Sequence, residues 1–483
     1  MVTFATLLTP EQVQRVHQAS LEILNRIGLL VHNHNARRTF SLHGCQVDSQ
    51  TNVVKFPHAV VEEFRKAIPS KFTFYGREPK YDRTIPDDGP IIVSGSSALN
   101  IIEPITGKER RARSGDIAKI AYLVNELPGY DVFSISTLAE DAPPGLFTLT
   151  RLYPAVKNCL KPVRSNAPDL HDAEQILRLG SLIAGSEEAF FRRPFITTHF
   201  CPVVSPLTMD VASTELLIYF VERGFPVYPS IVPNGGLTSP MSMMGTLVQG
   251  NAEFLAAATL MQMVRAGAPL IYSTLPTIAD LRTGAYASGG IECGMLHMAF
   301  AQMARYYDVP CGGYIGLTNS KIDDAQAGYE TGMSCVAGVL SGVDMLNMAG
   351  LLDTLKAFDF AKAVIDDEIA LMLKRLKRGL EFSEGNMALE VISKVGPGGN
   401  FMMEETTMKW MKTASLLTRI ADRDAREVWQ KKGALDAQAR GWQRAHQILS
   451  RPNPAVLSTE LDERIKAEFP GLASGDAVLP EGW

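Results

Sequence analysis

From Val132 onward the chain alternates between two patterns. Short apolar runs of about four to eight residues are each followed by a longer segment with apolar positions at helical spacing. The runs are Val132–Thr137, Pro162–Asn166, Phe195–Cys201, Pro226–Val232, Pro269–Leu275, Pro310–Leu317 and Asp344–Met348. The segments after them are Gly145–Leu160 (interrupted at Pro154), Asp169–Ala184, Thr208–Arg223, Met243–Ala266, Ile291–Tyr307, Asp323–Leu340 and Asp359–Arg378. Several runs open on a turn ending in proline, as in Gly224-Phe-Pro226, Gly267-Ala-Pro269 and Asp308-Val-Pro310. Strands alternating with helices of this length predict a parallel sheet. Seven such units exceed an ordinary open sheet and point to a closed eight-stranded barrel. The eighth strand is expected near Ser97–Ile102 or near Leu380–Glu384.

The flanks follow other patterns. Thr9-Pro10-Glu11 has the cap, proline and acid of a helix start, and Gly28 ends that helix. Phe72–Tyr75, Ile91–Ser94 and Leu99–Ile102 alternate or run like short strands. Beyond Glu384 the chain is helical and charged. The expected organisation is an N-terminal α+β cap over residues 1–112, a TIM-type (β/α)8 barrel over 113–384, and a C-terminal helical extension over 385–483, packed on the barrel.

Composition narrows the function. A net charge of −5 over 483 residues leaves no electrostatic footprint for nucleic acid. No apolar run reaches membrane-spanning length, and the first residues lack the pattern of a secretory signal. Six cysteines, at 45, 159, 201, 293, 311 and 335, form no C-x-x-C pair. This suits a reducing cytoplasm rather than a disulfide framework.

Barrel chemistry sits where strands end. The stretch Gly312–Glu330, GGYIGLTNSKIDDAQAGYE, reads as a strand, a polar loop and a helix start. Asp323, Gln326 and Glu330 share one helix face. Asp323 with Gln326 also fits a simple capping box, but capping does not require Glu330. Lys321 is either a site residue or a solvated charge. Other strand ends supply His199, Phe200, Tyr228, Tyr272, Tyr314, Asn319 and Asn347, and Arg282 lies in a following loop. Each aromatic is equally compatible with barrel core. His199 and Cys201 are two apart on a strand and could share a zinc with Cys311 or Glu330. No nucleophile elbow, phosphate loop or dinucleotide fingerprint occurs.

GGYIGLTNSKIDDAQAGYE, GVLSGVDMLNMAGLLDTL, Val364–Glu368 and VGPGGNFM are similar to segments of the trimethylamine methyltransferase family. The resemblance spans most of the chain. It implies transfer of a methyl group from an amine to the cobalt of a corrinoid protein. The trimethylamine enzymes carry pyrrolysine. This chain has none and resembles the non-pyrrolysine branch, whose best-known member acts on glycine betaine. Where the family often shows a His-Thr pair after GPGG, Glu404-Glu405-Thr406 stands here, so no histidine role carries over.

The expected reaction moves a methyl from a quaternary amine, glycine betaine first, to cob(I)alamin, leaving dimethylglycine. The cobalamin is expected on a small partner protein, with none held tightly by this chain and no metal. Glu330, Asp323 and Lys321 are the expected catalytic residues. His199, Phe200, Tyr228, Tyr272, Arg282, Tyr314, Asn319, Gln326 and Asn347 are expected to bind substrate. Aromatic faces would cage the cation at about 0.5–2 kcal/mol each. Self-association through the outer helices is also expected, in the cytoplasm and without membrane or nucleic acid. The alternatives are a zinc-dependent methyltransferase using His199 and Cys201, and a non-catalytic betaine-binding protein.

Overall fold

Apolar runs buried on both faces need helices on one side and a filled interior on the other. The computed structural model describes residues 4–480 and 482–483; residues 1–3, part of the N-terminal stretch read for a signal, lie outside them. Among the described residues, eight parallel strands form one sheet. They are β1 (Ile91–Ser94), β2 (Phe133–Ser134), β3 (Val163–Ser165), β4 (Ile196–Phe200), β5 (Val227–Ile231), β6 (Tyr272–Thr274), β7 (Cys311–Gly313) and β8 (Met345–Ala349). They follow chain order around a ring, and β8 pairs with β1. A parallel bridge between Val93 and Val132 joins β1 to β2. Asp131 N donates to Ile92 O at 2.8 Å and Ser94 N to Val132 O at 3.2 Å beside it.

A helix follows each strand: α1 (Ser114–Glu126), α2 (Phe147–Asn158), α3 (Leu170–Ala184), α4 (Ala212–Glu222), α5 (Met243–Val264), α6 (Ile291–Tyr307), α7 (Ala325–Ser341) and α8 (Phe360–Arg378).

The eighth strand is therefore Ile91–Ser94, which corrects both expected positions. Asn100–Ile102 pairs instead with Ala357–Phe358 and Glu109–Arg111 in a separate four-stranded sheet beside the end of β8. Leu380 and Phe382 are exposed and belong to no strand. A buried strand has to exclude water on both faces, and only Ile91–Ser94, buried at every position, does so.

The hairpin Phe72–Phe74 with Arg83–Ile85 lies against the inside of the barrel, where Phe72 and Phe74 meet the Tyr228 ring edge-on at 5.7 and 6.4 Å. On the outside, the helix Ala437–Leu449 crosses α8 closely enough that a Cβ on Gly441 would stand 3.0 Å from Ala361. Glu368 of α8 accepts from the backbone N–H of Ile420 at 2.6 Å and of Ala421 at 2.7 Å, fixing the chain that leads to that helix.

Candidate functional site

The interior of a parallel barrel is ordinarily filled by branched apolar side chains. Here it is polar and centred on one cation. Arg164 points inward from β3 and is 1% exposed. Its Nε donates to Ser134 Oγ at 3.0 Å, Nη1 to Tyr228 Oη at 3.0 Å, and Nη2 to Tyr314 Oη at 3.1 Å and Ser96 Oγ at 3.3 Å. Ser96 Oγ and Tyr314 Oη are themselves 2.6 Å apart. The guanidinium also lies 5.3 Å from the Tyr314 ring centroid. Every partner of this permanently charged group is a neutral hydroxyl. No carboxylate among the described residues forms an ion pair with it.

His199 reaches the same cluster from β4, with Nε2 3.3 Å from Tyr314 Oη. Burial and the adjacent Arg164 charge push its pKa well below the usual histidine value, so the imidazole is neutral at pH 7. Asn347 of β8 is fully buried, and neither atom of its amide has a partner in the protein. Asn347 stands two residues after Met345, which pairs with Gly312 on the face that Tyr314 also takes, so its register turns it inward. His199, Tyr228, Tyr314 and Asn347 are thus gathered inside the barrel.

At the strands' C-terminal ends, Leu275, Tyr314 and Leu317 form a small apolar cluster of their own, with Val232, Tyr286 and Leu355 against it. Leu355 belongs to an unusual turn, because Asp353, Thr354 and Leu355 have φ of 46°, 52° and 71°. Left-handed backbone costs a non-glycine residue roughly 1–2 kcal/mol, so the surroundings must hold it. Asp353 N donates to Ser320 O at 2.7 Å and Thr354 N to Thr318 O at 2.9 Å. Asn319 Nδ2 donates to Thr354 Oγ1 at 2.8 Å.

Glu330 anchors that assembly. Its carboxylate accepts from Thr318 Oγ1 at 2.6 Å, Asn319 N at 2.8 Å and Gln326 Nε2 at 3.0 Å. Gly289 gives it room, since a Cβ there would meet Glu330 Oε2 at 2.3 Å. Glu330, Gln326 and Asn319 therefore brace the mouth, while Asn319 also fixes the Gly289 N–H at 2.8 Å.

Other expected site residues fall elsewhere. Tyr272 stacks on Phe254 of α5 at 3.7 Å, and its Oη donates to Asn251, so it lies between strand and helix. Phe200 stacks on Phe220 of α4 at 5.7 Å, also outside the ring. Both sit at the wrong parity along their strands to face inward. Arg282 is 87% exposed and forked onto Asp280 in its own loop. Lys321 is exposed at the rim, paired with Asp353 at 3.3 Å.

Asp323 does not cap α7. Asp324 does, accepting from Ala327 N at 3.1 Å. Asp323, half-buried, instead lies near the buried Asp359 and Asp366 around Lys362, which ion-pairs with Asp366. Burial, with Asp366 and Asp359 nearby, raises its carboxyl to about 7. Among the described residues no three His, Cys, Asp or Glu side chains are placed to hold a metal, so His199 and Cys201 have no gathered co-ligands.

Sequence reasoning passed over Arg164, Ser96 and Ser134. The available signal was Arg164 itself, a charge inside a short strand of a sheet that is buried on both faces.

Residues 2–469 match the family described as Trimethylamine methyltransferase (MTTB). The chain belongs to that family. A glycine betaine methyltransferase from Desulfitobacterium hafniense (strain Y51) is 33% identical over 464 residues, covering 95% of this chain and 96% of the relative. The trimethylamine methyltransferase MttB of D. hafniense (strain DSM 10664 / DCB-2) is 30% identical, covering 95% and 92%. The Methanosarcina barkeri monomethylamine methyltransferase MtmB structure is 12% identical, covers 91% of each chain, and has a TM-score of 0.48.

Proposed function

We propose that this family member transfers a methyl group from a quaternary amine, glycine betaine first, to cob(I)alamin carried by a small corrinoid protein. The observation that carries the reading is the end-to-end relationship to a protein named glycine betaine methyltransferase. The site is compatible with it. A quaternary nitrogen is already cationic and departs as a neutral amine, so no general acid is needed. In the transfer, the cobalt(I) electron pair forms the new bond to carbon, and the C–N pair remains on nitrogen as dimethylglycine. The chain's part is to desolvate, orient and present the methyl. Neutral His199 and the hydroxyls around it supply an interior without an acid.

The three-part organisation belongs to the same proposal: a TIM-type barrel, an N-terminal cap ending before Ile91 rather than at 112, and a C-terminal helical extension. So does a role for the mouth residues Glu330, Asn319 and Gln326 in positioning rather than bond-making.

The test is spectroscopic. The purified chain is mixed with reduced cobalamin, free or on a corrinoid protein, and with a panel of quaternary amines. Conversion of the cob(I)alamin absorbance to that of methylcobalamin with glycine betaine is the expected result. Saturable betaine binding with no conversion by any amine would replace the enzyme with a binding protein.

A further inference from the structure

We propose that Arg164 binds the substrate's carboxylate, so that the substrate is a short zwitterion lying with its anionic end deep in the barrel and its methylammonium end toward the mouth. This rests on the methyl-transfer reading above.

An arginine stays charged when buried, and burying it without an anion is costly. Arg164 is 1% exposed, and its four hydrogen bonds go to hydroxyls alone. Those hydroxyls rotate. Ser96, Tyr228 and Tyr314 can turn their protons onto a carboxylate and still remain beside the guanidinium. With four of its five N–H groups engaged, the guanidinium offers a carboxylate its charge and the remaining Nη1 N–H, and the hydroxyls around it add their own donors. A second observation points to a ligand in the same interior. Asn347 is fully buried and turned inward, with both amide atoms unpartnered. Buried amides are ordinarily paired.

Orientation follows from the acceptor. A corrinoid on another protein is far too large to enter the ring, so the reacting methyl has to face the mouth. The far end of the substrate then points at Arg164. The mouth offers Tyr286 and Tyr314 beside Leu275 and Leu317, a mixed aromatic and aliphatic surface suited to a methylated ammonium. Arg164 also discriminates. It attracts a zwitterion by its carboxylate and repels a simple cation such as choline, which has the same trimethylammonium group and no anion. The donors first expected for the carboxylate, Arg282 and Lys321, are exposed and paired elsewhere.

Calorimetric titration of the full chain with glycine betaine and with choline tests this without needing catalysis. The wild type is expected to bind betaine on the order of 100-fold more tightly than choline, as one charge-assisted hydrogen bond beside a buried cation would give. Arg164→Met should abolish that ratio, weakening betaine and leaving choline the same or tighter. Arg164→Lys, which keeps the charge but cannot hold all four hydroxyls in place, should fall between. Equal binding of the two ligands by the wild type overturns the proposal, as does wild-type betaine affinity in a folded Arg164→Met protein. If Arg164→Met does not fold, the wild-type ratio and Arg164→Lys still decide. Failure of every amine to methylate cobalamin would leave the binding ratio standing as a separate result.

Discussion

Glu330 can be a brace or a reacting carboxylate, and two substitutions separate these roles. Its three accepted hydrogen bonds come from Thr318, Asn319 and Gln326. In Glu330→Gln, the amide oxygen can take the Oε2 position and keep the Thr318 hydroxyl and the Asn319 N–H. The amide nitrogen then faces Gln326, whose own amide turns to present oxygen. The change removes charge assistance and costs about 1 kcal/mol. Glu330→Ala leaves a buried hydroxyl and a backbone N–H without a partner, at about 1–3 kcal/mol each. The loop they hold carries the left-handed turn at Asp353–Leu355, so that loss falls on the arrangement of the mouth. If about 3 kcal/mol is lost from the braced arrangement of the mouth, turnover falls on the order of 100-fold. The assay is the initial rate of cob(I)alamin methylation with glycine betaine, alongside thermal unfolding. The brace predicts Gln close to wild type and Ala both slow and less stable. Equal, near-complete inactivity of Gln and Ala with unchanged stability would mean that the negative charge itself is needed, and the bracing argument would be wrong.

Two further outcomes follow from the same loops. Leu355 is left-handed and partly buried, so Leu355→Gly should be more stable than Leu355→Ala, the reverse of the usual order. The difference should be about 1–2 kcal/mol, which is roughly 1–2 °C in melting temperature for a chain this long; an alanine variant as stable as the glycine variant contradicts that backbone geometry. Asp323 has a folded-state pKa of about 7, above its unfolded value of about 3.9. The folded chain therefore keeps a proton the unfolded chain has lost, and this group makes stability fall as pH rises between those values. Asp323→Asn should gain on the wild type in urea midpoint from pH 5 to pH 8, and parallel curves would refute the assignment.

Much of the barrel was legible because its signal is repetitive. Seven strand–helix units share a length and several share a proline-marked entry. The strand of the first unit, Ile91–Ser94, was legible as a strand but was read as part of the cap, because nineteen residues separate it from its helix, a stretch that itself contains two strands of another sheet. The helix start at α7 was misplaced by one residue, between two adjacent aspartates with equal capping ability. Ser320 decides it by donating to Asp324 at 2.9 Å, a contact that only the folded loop supplies.

The interior was harder, since a strand buried on both faces does not announce which side is inward. Tyr228 and Tyr272 have the same residue type and similar surroundings in sequence. One touches the Arg164 guanidinium and the other stacks on an outer helix. The parity of each residue relative to its strand's entering proline separates them. Arg164 and Tyr228 stand two residues after Pro162 and Pro226, Tyr314 stands four after Pro310, and all three face inward. Tyr272 stands three after Pro269 and faces outward. The pairing supports this count, because Ser273 and Gly312, at even offsets, lie opposite each other. His199, five after Pro194, breaks it because its strand starts later: Thr198, four after Pro194, lies opposite Val227, one after Pro226, an odd shift of three. A one-residue shift exchanges the faces. Proline parity therefore works where the entering turn is short, and it would have placed the arginine inside the ring before any coordinates were known.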